Sequence, residues 1–147
     1  MSCEQLFREQ LKKKGLRLTS QRKLVLEVLH HQDGPVSADM VYDLVHQIDL
    51  NLDRSTIYRT LDLLKEFGIV QQIQSNDRYH FYEHTGTTQP HIHMVCQKCG
   101  KIFIVEQQLF DNIQQSLENK LGFTPDWSQM TIPGLCEKCQ TNLSTEI

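Results

Sequence analysis

Four of the five cysteines stand in two Cys-x-x-Cys pairs, Cys96-Gln-Lys-Cys99 and Cys136-Glu-Lys-Cys139, and nothing else in the sequence limits the fold as tightly. Each pair can turn two thiolates toward one ion, and four sulfurs complete the tetrahedral shell that zinc prefers. The stretch between the pairs is longer than in a zinc ribbon, so the ion would tie the end of the chain to a segment well upstream. A full sulfur shell leaves no position for water, and zinc carries no redox chemistry, so the site reads as structural and not catalytic. A redox-active pair is the competing assignment, but it would leave the second pair without a purpose. Disulfides are disfavoured because the first turns, with Glu4, Arg8 and Glu9, lack the apolar core of a secretion signal. No stretch approaches the roughly 20 apolar residues of a membrane span, and a cytoplasmic protein with no membrane partner is expected. Cys3 is left over at an end expected to be mobile, with no role of its own.

Upstream of these pairs the apolar pattern is helical. Leu6, Phe7 and Leu11 lie at helix spacing from about Cys3 to Lys14, with Gly15 as the stop. Thr19 or Ser20 caps a second helix carrying Leu24, Val25, Val28 and Leu29, which ends before Asp33-Gly34-Pro35. Ser37 caps a third whose apolar face is Met40, Val41, Leu44 and Ile48. Asp53 or Ser55 opens a fourth with Ile57, Leu61 and Leu64, stopped by Gly68. Residues 69–73 and 79–83 then alternate like strands around the turn residues Ser75, Asn76 and Asp77. Helices two to four followed by this hairpin describe a winged helix-turn-helix.

A polar stretch, 85–90, reads as the linker between a DNA-binding domain over 1–84 and a second domain over 91–147. The second domain shows strands at His91–Cys96 and Lys101–Val105, a helix stripe of Phe110, Ile113, Leu117 and Leu121 ending at Gly122, and a strand around Ser128–Ile132. The expected class is α+β, a winged helix followed by a small α/β dimerisation domain. That domain is too short to bury much core alone, so a structural metal and a second copy of the chain are its expected supports.

Histidines gather across the linker: His80, His84, His91 and His93, with Glu83 among them. His91-Ile-His93 on a strand puts both imidazoles on one face, and imidazole with carboxylate suits zinc or iron(II). An ion held from both sides of a linker has different affinities for two domain orientations, and only such a difference shifts a conformational equilibrium. The net charge is slightly acidic, −3, so any contact with DNA must rest on local basic residues. Lys12, Lys13, Lys14, Arg17, Arg22 and Lys23 form one such cluster.

With Gly15-Leu-Arg-Leu-Thr-Ser-Gln-Arg22, Ser55-Thr-Ile-Tyr-Arg-Thr-Leu61, Gly68-Ile-Val70, the stretch from His91 to Gly100 and Gly134-Leu-Cys-Glu-Lys-Cys139 in this order, the chain resembles the ferric uptake regulator family nearly end to end. The resemblance implies a homodimeric repressor of metal-homeostasis genes that binds AT-rich palindromic double-stranded operators when loaded with its regulatory metal. Iron or zinc uptake is the expected regulon, and manganese-sensing and peroxide-stress members are the alternatives within the family. The recognition helix is then the one with Ser55, Thr56, Tyr58 and Arg59, and Arg17 matches the basic minor-groove residue. Tyr58 can pack on thymine methyls, Arg59 can reach phosphate or a guanine edge, and Arg17 suits a narrow A-tract groove.

Residue by residue, the resemblance gives structural zinc to Cys96, Cys99, Cys136 and Cys139. It gives a regulatory ion, Fe2+, Zn2+ or Mn2+, to Glu83, His91 and His93, with His80 and His84 as further candidates. Three positions depart from the pattern. A loop histidine is replaced by Pro35, a carboxylate after the knuckle by Ile104, and a histidine before the third cysteine by Ser128; Glu106, Asp111, His30 and His31 are nearby candidates to compensate. The cysteine that zinc sensors of the family place at the wing's end is Thr85 here.

Two other classes compete. A hydrolytic zinc at the histidines with Glu83 as base would need a substrate pocket, for which the chain has little room; no enzyme is expected. A metal-storage protein would have no use for Tyr58-Arg59 on an exposed helix.

Overall fold

The computed structural model describes residues 2–75, 79–85, 91–127 and 130–145, and of residues 75, 79 and 142–145 the backbone alone. They form two compact units, one reaching to Gln74 and taking in Tyr79–Thr85, the other beginning after Thr85. The expected turn at 76–77, the linker beyond Thr85 and Ser128 lie outside the described residues.

The first unit is α1 (Cys3–Lys13), α2 (Ser20–His30), β1 (Val36–Ser37), α3 (Ala38–Ile48), α4 (Arg54–Glu66), β2 (Val70–Ser75) and β3 (Tyr79–His84). Its helices start where side chains accept the orphan N–H groups of the first turn. Thr19 Oγ1 accepts from Arg22 N at 3.2 Å, Ser37 Oγ from Met40 N at 3.1 Å, and Asp53 Oδ1 from Thr56 N at 2.8 Å. Ser2 and Gln5 form a reciprocal capping box on α1, so the start of the chain is a built helix end and not the mobile terminus its position implied. Gly15 and Gly68, at φ of +73° and +74°, supply the left-handed stops of α1 and α4.

The core of this unit joins Phe7 and Leu11 of α1, Val25 and Leu29 of α2, Val41 and Val45 of α3, Ile57, Leu61 and Leu64 of α4, and Val70 and Tyr82 of the sheet. The α3 stripe differs from the expected one. Val41 and Val45 are its buried centre, whereas Met40 is at the stripe's edge and Ile48, on the last turn, is 67% exposed. The sheet runs β1-β3-β2, and β1 is a pairing of two residues, Val36 with Tyr82 and Ser37 with Phe81. Leu61 makes no contact with solvent, and truncation to Ala should cost about 2–5 kcal/mol, read as a lowered midpoint for the first unit's unfolding in urea.

The second unit contains β4 (His91–Cys96), β5 (Ile102–Glu106), a short 3-10 turn (Gln107–Phe110), α5 (Asp111–Leu121), β6 (Thr131–Gly134) and α6 (Glu137–Thr145). β4 is central, antiparallel to β5 and parallel to β6. Trp127 anchors α5: its Nε1 donates to Gln114 Oε1 at 2.8 Å, and its ring lies 5.3 Å from that of Phe110. No described α5 residue is buried, and Ile113 is 50% exposed. Phe103, Ile104, Leu109, Leu121 and Phe123 are exposed as well, so this unit presents far more apolar surface than a single copy can cover. Among the described residues no helix is long and apolar enough to cross a membrane.

Candidate metal centres and nucleic-acid interface

The two cysteine pairs meet at one end of the second unit's sheet. β4 delivers Cys96, and a tight turn follows in which Gly100 N donates to Cys96 O and Cys96 N to Lys101 O, each at 2.9 Å. Gly100 has φ +78°, the left-handed geometry that closes the knuckle without strain. β6 runs beside β4 and ends at Gly134, whose carbonyl accepts from Gln97 N at 2.8 Å, which brings Cys136 alongside. α6, which the apolar pattern did not reveal, then carries Cys139 in its first turn.

The four sulfurs lie within 4.8 Å of one another. Cys99 Sγ and Cys136 Sγ are 3.8 Å apart, the separation of about 3.8 Å set by sulfurs 2.3 Å from the centre of a tetrahedron. Their protonation is uneven. Backbone N–H groups of Cys99 and Cys136 pull the Cys96 thiol down to about 5, while the sulfur of Cys136 and burial push Cys139 up to about 12. Four thiolates at this spacing repel one another unless a cation neutralises them, and a divalent ion that takes all four displaces the remaining protons. Donor set and spacing fit zinc.

His91 and His93 sit on β4 as the two-residue period requires, their ring centroids 4.8 Å apart and nearly perpendicular. His93 is 2% exposed, His91 partly exposed, and the fully buried Ile92 between them faces the other way. In the β4–β5 register His93 stands opposite Ile104 and His91 opposite Glu106. On the first unit, Glu83 is buried near the end of β3 at 5% exposure. His80 is exposed beside Gln72, its Nδ1 2.8 Å from the amide nitrogen. His84 is buried against Cys3 and His30 within the first unit. Burial first, and then His30, hold its imidazole below the ordinary histidine value and therefore neutral.

The face of α4 away from the core carries the expected DNA residues. Tyr58 is 42% exposed, Ser55 and Arg59 are exposed and Thr56 is partly so. Arg59 folds back on its helix, with Nη2 donating to Ser55 Oγ at 3.1 Å and Nε to Ser55 O at 3.3 Å. Those are contacts a phosphate or base edge can replace at small cost. Arg17 is exposed before α2, and neither Arg17 nor Arg59 is in an ion pair with a described carboxylate. Part of the basic cluster is neutralised, by Lys14–Glu66 at 2.5 Å and Lys23–Glu4 at 3.8 Å.

The model of the ferric uptake regulator family matches residues 13–133. The chain belongs to that family. It is 33% identical to the ferric uptake regulation protein of Campylobacter jejuni, over 90% of this chain and 85% of that one. The peroxide-responsive repressor PerR of Staphylococcus epidermidis is 30% identical over 88% and 85%. Among solved structures, the Helicobacter pylori ferric uptake regulator, described with three functional metal-binding sites, superposes with a TM-score of 0.78 at 25% identity, covering 95% of each chain. This ferric uptake regulator family member is a metal-responsive transcriptional regulator, and the family comprises regulators, not enzymes.

One cation of α4 escaped sequence reasoning. Arg54 opens α4, where a positive charge opposes the helix dipole. It is held there by Asp39 at 2.8 Å and by the Tyr42 ring, whose centroid is 4.1 Å from the guanidinium carbon. No sequence spacing links Arg54 to Asp39 and Tyr42; the packing of α3 against α4 does.

Proposed function

We propose that this regulator is a homodimeric repressor that binds AT-rich palindromic DNA when a divalent ion, iron(II) or zinc, loads His91, His93 and Glu83, and that it controls metal-uptake genes in the cytoplasm. The domains follow: 1–84 binds DNA, 85–90 is the hinge, and 91–147 dimerises and holds metal. The face-sharing imidazoles on β4, His93 buried and His91 partly so, carry the metal assignment, since nitrogen ligands without sulfur distinguish this site from the thiolate one. Glu106, across from His91 in the register, offers a carboxylate on the same face of β5 as Ile104, two positions further along. The exposed apolar residues of α5 and β5 support the dimer.

The test is operator binding by the zinc-loaded protein with and without iron(II), zinc or manganese. Binding that ignores all three ions refutes metal-dependent repression. Arg59→Ala should weaken operator binding about tenfold or more, as loss of one base contact does, with fold and metal content intact. Arg17→Ala should cost more on A-tract operators than on G·C-interrupted ones; equal losses reduce Arg17 to a phosphate contact. The peroxide-responsive relatives at 30% identity favour a second reading, a peroxide-stress regulator, distinguished by release of the iron-loaded protein from its operator on brief exposure to hydrogen peroxide.

A further inference from the structure

The first unit gathers three metal-ligating side chains outside the set Glu83, His91 and His93. Cys3 starts α1, His30 ends α2 and His84 ends β3, and their ligand atoms lie within 4.8 Å of one another. His84 Nε2 is 3.0 Å from Cys3 Sγ, and the His30 ring meets the His84 ring edge-on at 4.8 Å between centroids. His84 is 5% exposed, and its Nδ1 has no hydrogen-bond partner among the described residues. Cys3 is partly exposed, beside a cleft of about 210 Å³ that Glu27 and His31 also line. Glu83 and His84, as neighbours on a strand, point to opposite faces, so His84 faces this cluster from the side of β3 opposite Glu83.

We propose that Cys3, His30 and His84 form a further metal site, wholly within the DNA-binding unit, for a thiophilic divalent ion of the zinc type. One thiolate and two imidazoles are a soft, three-ligand set. Around a zinc-sized ion, sulfur and nitrogen ligands stand about 3.5 Å apart, a separation bracketed by the 3.0 Å contact and the 4.8 Å limit. The cleft has room for a water at the fourth position. A bound ion would staple the start of α1 to the end of α2 and to the wing strand β3, bracing the recognition unit independently of the regulatory site. Manganese(II), which prefers oxygen ligands, would not compete.

The test uses the full chain with zinc in its four-cysteine site, titrated with cobalt(II) under reducing, oxygen-free conditions. Cys3 is then the one thiol outside that site, so a sulfur-to-cobalt charge-transfer band in the near ultraviolet reports it directly. The band should appear, should be lost in Cys3→Ser, and should need at least about tenfold more cobalt in His30→Gln, a loss no smaller than that of an outer-shell partner. It should persist unchanged in His91→Ala, which separates this site from the regulatory one. Absence of the band in the wild type, its survival in Cys3→Ser, or indifference to both His30→Gln and His84→Gln would overturn the proposal.

Discussion

Cys99→Ser is expected to lose the zinc and, with it, the folded second unit and the dimer. Cys99 is exposed, so the substitution opens no cavity, and its whole effect passes through the metal. Zinc binding at a four-ligand structural site is worth about 10–16 kcal/mol of apparent free energy in small peptides, comparable to the roughly 5–15 kcal/mol that holds an entire domain together. The second unit has little to offset such a loss. Among its described residues the buried apolar side chains are few, chiefly Ile92, Val95 and Trp127, and two of the zinc ligands, Cys96 and Cys139, are themselves among the buried ones. Metal content, sedimentation and circular dichroism should change together, while the first unit, with its separate core, keeps its helical signal. A zinc-free Cys99→Ser protein that remained dimeric and fully folded would refute the structural assignment.

Substitution of the β4 histidines should have the opposite profile. His91→Ala is expected to leave the four-cysteine zinc and the dimer intact and yet to remove the metal-dependent part of operator binding, a gain of about 5- to 150-fold for an ordinary coupling between sites. His91 is the cleaner choice because it is only partly buried, whereas His93 is almost fully buried and its truncation would also leave a void. His93→Gln, which keeps much of that volume, separates ligation from packing. Wild-type metal dependence in both variants, with their structural zinc retained, would show that the regulatory ion does not use this pair. Glu106→Gln is the third member of the series, and a partial loss there would identify the β5 carboxylate as a ligand.

Local chemistry made most of the architecture legible before any coordinates. Thr19, Ser37 and Asp53 announce helix starts because a short side-chain oxygen there satisfies a backbone donor, and Gly15, Gly68 and Gly122 announce stops because only glycine takes a left-handed turn freely. The four-cysteine site and the His91–His93 pair were legible for the same reason, since their spacing acts within a turn or along one strand. Long-range geometry was not. β1 is two residues that become a strand only because β3 passes beside them. The exposed stripe of α5 carries a regular apolar period that specifies a buried face without specifying whose surface buries it. The Cys3–His84 contact spans 81 positions, and a cysteine at the chain's start gives no hint of a strand end that far away.

The parallel pairing of β6 with β4 imposes an order of events on synthesis. An antiparallel neighbour such as β5 is made at once after β4, but β6 arrives only after the intervening helix, and Cys136 lies 37 positions beyond Cys99. Cys139 comes later still, on α6. The ion therefore cannot be fully enclosed until Cys139 has left the ribosome, by which time the helices and wing of the first unit are already complete, since domains fold as units from the N-terminal side. A cell short of zinc would thus accumulate nascent regulators whose first unit is finished and whose second is not, and zinc supply at the moment of translation would govern how many complete molecules each message yields.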